Sequence, residues 1–356
     1  MKIGSMKRST RTNLITYLGV VIAFIAIVIL RDSGGLSRSL TGQLVPICCY
    51  MSMAVSLNLT VGILGELSLG HAGFMSVGAF SGVIAAMSLQ SAIPSDALRL
   101  AVAMIVGAAV AAVAGVIIGT PVLRLRGDYL AIVTLAFGEI IKELVNCLLV
   151  GWDSRGLHVT LNLTGDKSIA DLGLETEGIA IIKGAQGATG TATISTFAAG
   201  FVLVLITLFV VLNLKDSRAG RAIMALRDNS IAAESVGLNL TKYKLMAFVT
   251  SAALAGASGA LYGLNFSSLQ ASKFDFNTSI LILVFVVLGG LGNIWGSLIA
   301  AAALTILPEA LRQFSDYRML VYAIVLILVM LLTNNPTLRS ALSRLRPGAS
   351  KEKEAA

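Results

Sequence analysis

The stretch that decides the fold is ALRLAVAMIVGAAVAAVAGVII, residues 97–118. Arg99 is its only charged residue, and about 20 apolar residues, rising about 1.5 Å each in a helix, cross the hydrocarbon of a bilayer. The stretch therefore predicts a membrane-spanning helix. Small residues recur at every fourth position in it and just beyond it, namely Ala103, Gly107, Ala111, Gly115 and Gly119. Such a row allows a second helix to approach closely, and that helix could belong to this chain or to another subunit.

The composition extends this interpretation to the whole chain. Of the 356 residues, 56% are hydrophobic and 13% are charged, and the mean hydropathy is +0.85. Soluble domains carry roughly 25% charged residues, so a soluble globular protein is excluded. We predict an all-α polytopic membrane protein in contact with lipid. The chain has a net charge of +8, and in a membrane protein the distribution of the excess Lys and Arg indicates which loops are cytoplasmic. No sequence pattern suggests binding of nucleic acid.

Other apolar stretches predict the remaining spans, at 14–30, 44–61, 71–89, 129–150, 194–214, 245–264 and 319–333. The stretch 278–307 is apolar too, but the glycine-rich run from Gly289 to Asn293 should break or bend a helix. If it forms two arms, the chain makes about ten passes, with 17 Lys and Arg inside against nine outside. If the stretch were one continuous helix, the tail would lie outside, with 14 Lys and Arg inside against 12 outside. The positive-inside rule favours ten passes, including broken or half-spanning helices.

This topology divides the chain into three parts. A cytoplasmic basic N-terminus at 1–13 precedes a transmembrane domain at 14–333, and a cytoplasmic basic tail at 334–356 follows. The domain contains an external loop at 150–194 and a cytoplasmic loop at 215–244. Both termini are therefore expected in the cytoplasm.

The external loop carries a strand-like pattern. Apolar residues alternate with polar ones at Leu157, Val159, Leu161 and Leu163. This period of two is typical of a half-buried strand, and residues 179–182 could pair with it. We expect a small β-containing cap that either contacts a partner or serves as a passive lid over the helix ends.

Two glycine-rich interruptions lie in opposite halves of the chain. The first, Gly62 to Phe74, places Glu66, Ser68 and His71 at membrane depth, and the second, Gly289 to Gly296, contains Asn293. Interrupted apolar segments in two halves point to a transport site between structural repeats, and ionisable groups there belong to a pathway or to a pair. Glu66 and His71 could instead be interfacial groups that face cytoplasmic water.

A further charged group lies within a predicted span. Glu139, Lys142 and Glu143 are spaced at i, i+3 and i+4, so they share one helix face. They are expected to orient helices or to line a cavity, and a proton relay is the alternative.

The cytoplasmic loop contains a short amphipathic helix. Ile231, Ala232, Ser235 and Val236 fall on one face of two turns, Ser230 is placed to cap the start, and Gly237 is placed to end it. The apolar face needs a partner protein or the lipid interface to cover it.

Catalytic chemistry is not indicated. The chain has no G-x-x-x-x-G-K-[ST] phosphate loop, so ATP would have to be hydrolysed by another subunit. No nucleophile–base set and no metal-ligand spacing is present, so we predict neither catalytic residues, nor metal, nor cofactor, and the chain is expected not to be an enzyme.

Several stretches together resemble permease subunits of branched-chain amino acid ABC importers, the LivM type. They are Leu67–Phe80, Arg126–Glu139, Arg227–Gly237, Tyr243–Phe248, Ala252–Tyr262 and Gly289–Gly296. The sequence departs from the family pattern at Trp295, where Pro or a small residue is expected, and in a polar external insert.

The resemblance implies a bacterial inner-membrane protein that works with a homologous permease in a heterodimer, two cytoplasmic ATPase subunits and an external solute-binding protein. The residues implied to couple to the ATPase are Arg227, Asp228, Ala232, Ala233, Glu234 and Gly237. The candidates for the translocation path are Glu66, Ser68, His71, Glu139 and Asn293. The substrate class is branched-chain amino acids, with other amino acids or urea-like amides open.

Two other classes of protein stay open from the residues alone. An ion-coupled secondary transporter would use Glu139, Lys142 and Glu66 as coupling groups. A membrane-embedded enzyme would use Glu66 and His71.

Overall fold

The structure is a computed structural model, and it describes residues 8–35, 37–125, 127–162, 169–173 and 178–311, with residues 320, 323, 324 and 327. The predicted span 319–333 lies mostly outside these residues, and the tail 334–356 lies wholly outside them. The helices in the described part are α1 (Arg8–Asp32), α2 (Arg38–Asn58), α3 (His71–Ser88), α4 (Asp96–Val122), α5 (Asp128–Asn146), α6 (Phe197–Asp216), α7 (Arg218–Asp228), α8 (Ser230–Ser235), α9 (Leu240–Gly263), α10 (Phe276–Gly289) and α11 (Ile294–Ala310). The protein is therefore mostly helical.

Among the described residues, six segments are long and apolar enough to cross a membrane. They are α2 with the π-helix that follows it, α3, α4, α6, α9, and the segment Ala271–Gly289 that contains α10. Helix α11 is a shorter apolar helix. Length and composition thus support a membrane-spanning helical protein, whereas the ten passes expected from charge are not reached by this criterion.

Helices α3, α4 and α9 pack together through small residues. A Cβ added at Gly256 of α9 would lie 2.5 Å from the Gly107 carbonyl oxygen of α4, and one added at Gly107 would lie 2.8 Å from the Gly78 carbonyl oxygen of α3. Backbones approach this closely only where side chains are absent. The small-residue row of α4 therefore packs within this chain, which settles the alternative that the sequence left open.

The two interruptions take different forms. After α2 the chain continues as a π-helix, Leu59–Leu64, and then runs without helix to α3. The second interruption separates α10 from α11, and its Gly290 has a φ of +91°. The predicted break at Gly289 to Asn293 is confirmed. Trp295, the departure from the family pattern, packs its ring against Gly19 of α1, where a Cβ would overlap the indole.

The predicted external loop contributes four strands to a five-stranded sheet in the order β2-β1-β3-β4-β5, and β5 comes from the chain after α9. The strands are β1 (Leu148–Asp153), β2 (Gly156–Leu161), β3 (Ile179–Lys183), β4 (Ala188–Thr189) and β5 (Ser268–Leu269). Two expectations were wrong: the span predicted to reach residue 150 ends as helix at Asn146, and β3 pairs with β1 instead of β2. The cause is β1. It is a short apolar run, and periodicity cannot decide whether such a run forms a helix or a strand.

The orientation of β2 is also reversed from the expectation. Leu157, Val159 and Leu161 are exposed, whereas His158 and Thr160 are half-buried. The strand itself was predicted correctly, but its apolar residues point outward because β1 and β3, not β2, fill the interior. Leu163 lies outside the described residues.

Candidate functional site

The α7–α8 segment is built by local capping. The Ser217 hydroxyl accepts from Gly220 N at 3.0 Å to start α7, and the Asn229 side chain accepts from Ile231 N and Ala232 N at 3.1 and 3.0 Å to start α8. The cap of α8 is thus Asn229 and not Ser230, because Ser230 is already the first helical residue. Gly237, at φ +85°, follows the helix end as the sequence predicted.

Helix α8 presents two different surfaces. Ile231 and Val236 are 74% and 77% exposed, although both are apolar, while Ala233 is 4% exposed. Ala232, Glu234 and Gly237 are exposed. The outward apolar pair gives α8 a surface that another protein could cover, and Ala233 fixes α8 to its own chain.

Arg227, at the end of α7, points toward the first interruption. Its Nη1 donates to the Gly62 carbonyl oxygen at 3.0 Å, and its Nη2 donates to Asp228 Oδ1 at 3.0 Å. The aliphatic stem covers Gly65, where a Cβ would lie 2.5 Å from the arginine Cγ. Gly62 is near the end of the π-helix, where carbonyls lack helical partners, so the guanidinium acts as a C-terminal cap.

Glu66 forms an ion pair with Lys244 of α9. The two side chains are 15% and 14% exposed, so water has little access to the pair. A carboxylate at the C-terminal end of a helix is unfavourable beside the helix dipole, and the lysine offsets this. The structure thus gives Glu66 a pairing partner near the start of α9.

His71 and Ser68 are buried. His71 Nε2 lies 2.8 Å from Ser56 Oγ, and the Ser56 hydroxyl also lies 2.9 Å from the Met53 carbonyl oxygen. Ser251 of α9 in turn donates to the Ser56 carbonyl oxygen at 2.6 Å. Ser68 Oγ has no hydrogen-bond partner within the part of the chain that the structure describes.

The start of α3 is closed by hydroxyl groups of two other helices. Leu69 N donates to Thr134 Oγ1 of α5 at 3.0 Å, and Ala72 N donates to Ser279 Oγ of α10 at 3.2 Å. These bonds satisfy backbone donors that a helix start leaves free. They also fix the first interruption against α5 and α10.

Asn58 joins the two interruptions. Its Oδ1 accepts from Gly292 N at 2.8 Å, and its Nδ2 donates to Ser297 Oγ at 2.9 Å. A Cβ at Gly62 would overlap both Asn58 Oδ1 and Gly292 N. The two glycine-rich segments therefore touch each other directly.

The remaining candidates lie elsewhere. Glu139 accepts from Phe276 N at the start of α10 at 3.2 Å and pairs with Lys142, which also lies 3.7 Å from Glu143. Asn293 is exposed, and its Oδ1 accepts from Gly296 N at 3.3 Å as a cap of α11.

The structure thus brings Glu66, Ser68 and His71 into one partly buried segment and connects that segment to Arg227. Glu139, a residue of α5, contacts the start of α10 instead. Sequence reasoning missed Asn58 and Lys244. Asn58 was visible as a lone amide in an apolar span, and Lys244 as a basic residue at the start of one.

Comparison with known proteins places these features in a family context. Residues 39–330 match the family described as branched-chain amino acid transport system / permease component. The high-affinity branched-chain amino acid transport system permease protein LivM of Salmonella typhimurium is 34% identical over 292 residues, which cover 79% of this chain and 66% of that protein. The Escherichia coli protein of the same name is 33% identical over 319 residues, which cover 86% and 72%.

A shorter similarity extends to sugar permeases. The ribose import permease protein RbsC of Haemophilus influenzae is 30% identical over 129 residues, which cover 34% of this chain and 40% of that protein. No solved structure matches the chain.

Proposed function

The chain belongs to the family of permease components of branched-chain amino acid transport systems, and from this membership we propose that it is a transmembrane permease subunit of an ATP-binding-cassette importer. It forms part of the translocation path for branched-chain or related amino acids, which an external solute-binding protein delivers. It is not an enzyme, since ATP is hydrolysed on separate subunits. The named relatives support this function and do not support an ion-coupled secondary transporter.

The observation that carries the proposal is the match over residues 39–330 together with the outward apolar pair of α8. Ile231 and Val236 expose apolar side chains in the chain between α7 and α9. Docking into a groove of an ATPase subunit would cover them. Within the predicted coupling set, Ala232, Glu234, Asp228 and Gly237 then border the interface, whereas Ala233 and Arg227 hold α8 and α7 to this chain.

The proposed topology places α8 in the cytoplasm. The chain crosses the bacterial inner membrane about ten times, its basic ends at 1–13 and 334–356 are cytoplasmic, and the transmembrane permease domain spans 14–333. The sheet at 150–194 is then on the outer face, where the solute-binding protein docks. Support comes from the charge distribution of the sequence.

A homologous permease completes the path. Helix α5 leaves Tyr129, Ile132 and Ile140 largely exposed on the face that also carries Glu143. Charged groups on a membrane-facing surface are costly in lipid, so we place this face, with Glu139, against the second permease and the water-filled path between the two subunits.

The substrate assignment rests on the relatives' names. Both LivM proteins are named as branched-chain amino acid permeases, and they match most of this chain. The ribose permease matches about a third of it. Because amino acid and sugar permeases share that third, specificity depends on the rest of the chain and on the binding protein.

The test uses the transporter assembled in proteoliposomes with its ATPase subunits and binding protein. Ile231→Asp and Val236→Asp should abolish co-purification of the ATPase subunits and ATP-driven leucine uptake, with a change in stability of about 0.5 kcal/mol or less, as for other exposed sites. Leu161→Asp, a matched change at an exposed apolar residue of β2, should leave co-purification intact. Leucine uptake by this chain alone, driven by an ion gradient, would overturn the proposal.

A further inference from the structure

Two charged side chains that flank α8 in sequence hold the first interruption. Arg227, at the end of α7, caps the Gly62 carbonyl, and Lys244, near the start of α9, pairs with Glu66. Helix α8 thus lies between two attachments to one short stretch of chain, residues 62–66. A displacement of α8 that moves the end of α7 or the start of α9 is therefore passed to this stretch.

The stretch is poorly able to absorb such a displacement by itself. Gly62 is buried, with no room for a Cβ, and it contacts both Asn58 and Gly292. Because packed interiors transmit strain instead of yielding, a shift of residues 62–66 must also move Gly292. The second interruption, between α10 and α11, is therefore the next element in contact.

The hydrogen-bond register of the first interruption is unusual. Leu59–Leu64 form a π-helix, and Glu66 N donates to the Thr60 carbonyl oxygen at 3.1 Å across the end of it. π-helical turns are rare and concentrate at functional sites, where the looser register bends or shifts a helix. A helix end with this loosened register, held by Arg227 of α7 and Lys244 of α9, is suited to a hinge motion.

We propose that Arg227 and the Glu66–Lys244 pair are positioning residues that fasten α8 to the π-helical end of α2, and that this attachment carries the motion of α8 to the break between α10 and α11 through Asn58 and Gly292. In this arrangement Arg227 acts within the permease chain. It does not act as a contact to the ATPase, which is the role that family resemblance implied. The inference rests on the proposed function, since it assumes that an ATPase moves α8.

The first test follows the position of the stretch directly. Leu67, one residue beyond Glu66, is 37% exposed, so Leu67→Cys reports its accessibility to a maleimide after Cys48, Cys49 and Cys147 are replaced. In the complete transporter, addition of a non-hydrolysable ATP analogue should change the labelling rate by about tenfold, within the usual range for coupled sites. Arg227→Met, which keeps the stem over Gly65 and removes the donor, should abolish this change.

Two further variants separate positioning from a general loss of structure. Arg227→Lys keeps a cationic donor and should restore the nucleotide-dependent labelling. Arg221→Met removes another arginine of α7, whose Nη1 donates to the nearby Asp216 carbonyl oxygen at 3.2 Å, and should leave the labelling change intact. A labelling change that persists in Arg227→Met would overturn the role of Arg227.

The ion pair is tested by charge reversal. Glu66→Lys and Lys244→Glu should each lower leucine uptake per ATP hydrolysed by about tenfold, and the double variant should recover most of it. Equal loss of uptake and ATP hydrolysis in the single variants, without recovery in the double variant, would contradict the proposal. If wild-type uptake is driven by ATP but Leu67→Cys labelling never responds to nucleotide, the attachment fails while the proposed function stands.

Discussion

Both glycine-rich interruptions end a helix within an apolar stretch, but different side chains hold them in place. The first is buried from Gly62 to Leu64, although Leu67 is exposed, and it is held by charged side chains, with Arg227 on Gly62 and Lys244 on Glu66. The second is exposed at Leu291 and Asn293, and the Asn58 side chain supplies its hydrogen bond from another helix to Gly292 N.

The difference indicates a direction. Under the proposed coupling, the first interruption follows the end of α7 and the start of α9, which carry Arg227 and Lys244 on either side of α8. The second interruption then follows the first through the Asn58 side chain. Three substitutions test whether this contrast holds, and they are ordered by the size of their expected effect.

The largest effect is expected at the contact between the interruptions. Gly62→Ala places a Cβ where Asn58 Oδ1 and Gly292 N already lie, so either backbone must move. We expect a loss of more than about 4 kcal/mol in the free energy of unfolding, which marks a severe substitution. The measurement is the yield of monodisperse protein and its thermal unfolding in detergent. Gly42→Ala is the control, because nothing lies within 4 Å of a Cβ at that position of α2, and equal behaviour of the two variants would remove the contrast.

An intermediate effect is expected when the amide that joins the interruptions is removed. Asn58→Leu keeps the volume but leaves Gly292 N without its acceptor and Ser297 without its donor. The buried Ser297 should cost about 1–3 kcal/mol and the half-buried Gly292 N about 1 kcal/mol, so unfolding in detergent should show a loss of about 2–4 kcal/mol. Gln90→Leu, at an exposed amide just beyond α3, should be close to neutral. A neutral Asn58→Leu would mean that Gly292 is held by something other than this side chain.

The smallest of the three effects is expected in the second interruption itself. Gly290 has a φ of +91°, with Asn293 Cβ the nearest atom to an added Cβ, at 3.7 Å. Gly290→Ala therefore meets backbone strain without a clash, and we expect about 1–3 kcal/mol of destabilisation. The comparison with Gly62→Ala in the same unfolding assay is decisive. If Gly290→Ala proves the more damaging, the second interruption is the more rigid one, and the order of motion inferred above reverses.

Much of the helical framework was predictable from the sequence because apolar length and glycine positions act locally. The break between α10 and α11 followed from the cluster Gly289 to Asn293, and the end of α8 followed from Gly237. Small residues at four-residue spacing in α4 predicted a close helix contact, although only the structure identified α9 and α3 as its partners.

The expectations that failed depended on neighbours distant in sequence. The apolar residues of β2 point outward since β1, read as the end of a helix, occupies the centre of the sheet. The coupling role implied for Arg227 could not show that its guanidinium turns toward Gly62, 165 residues away in sequence. Periodicity describes which side of an element is apolar, but not which element will cover it.

The sequence by itself determined that this chain is a membrane protein, where its helices are interrupted and where α8 ends, because hydropathy and glycine act within a few positions. The tertiary structure alone decided that the interruptions touch, that Asn58 and Lys244 matter and that Arg227 faces inward. Those facts depend on side chains from separate helices meeting at one place, and a hydrogen bond between distant residues leaves no periodic trace in either stretch of sequence.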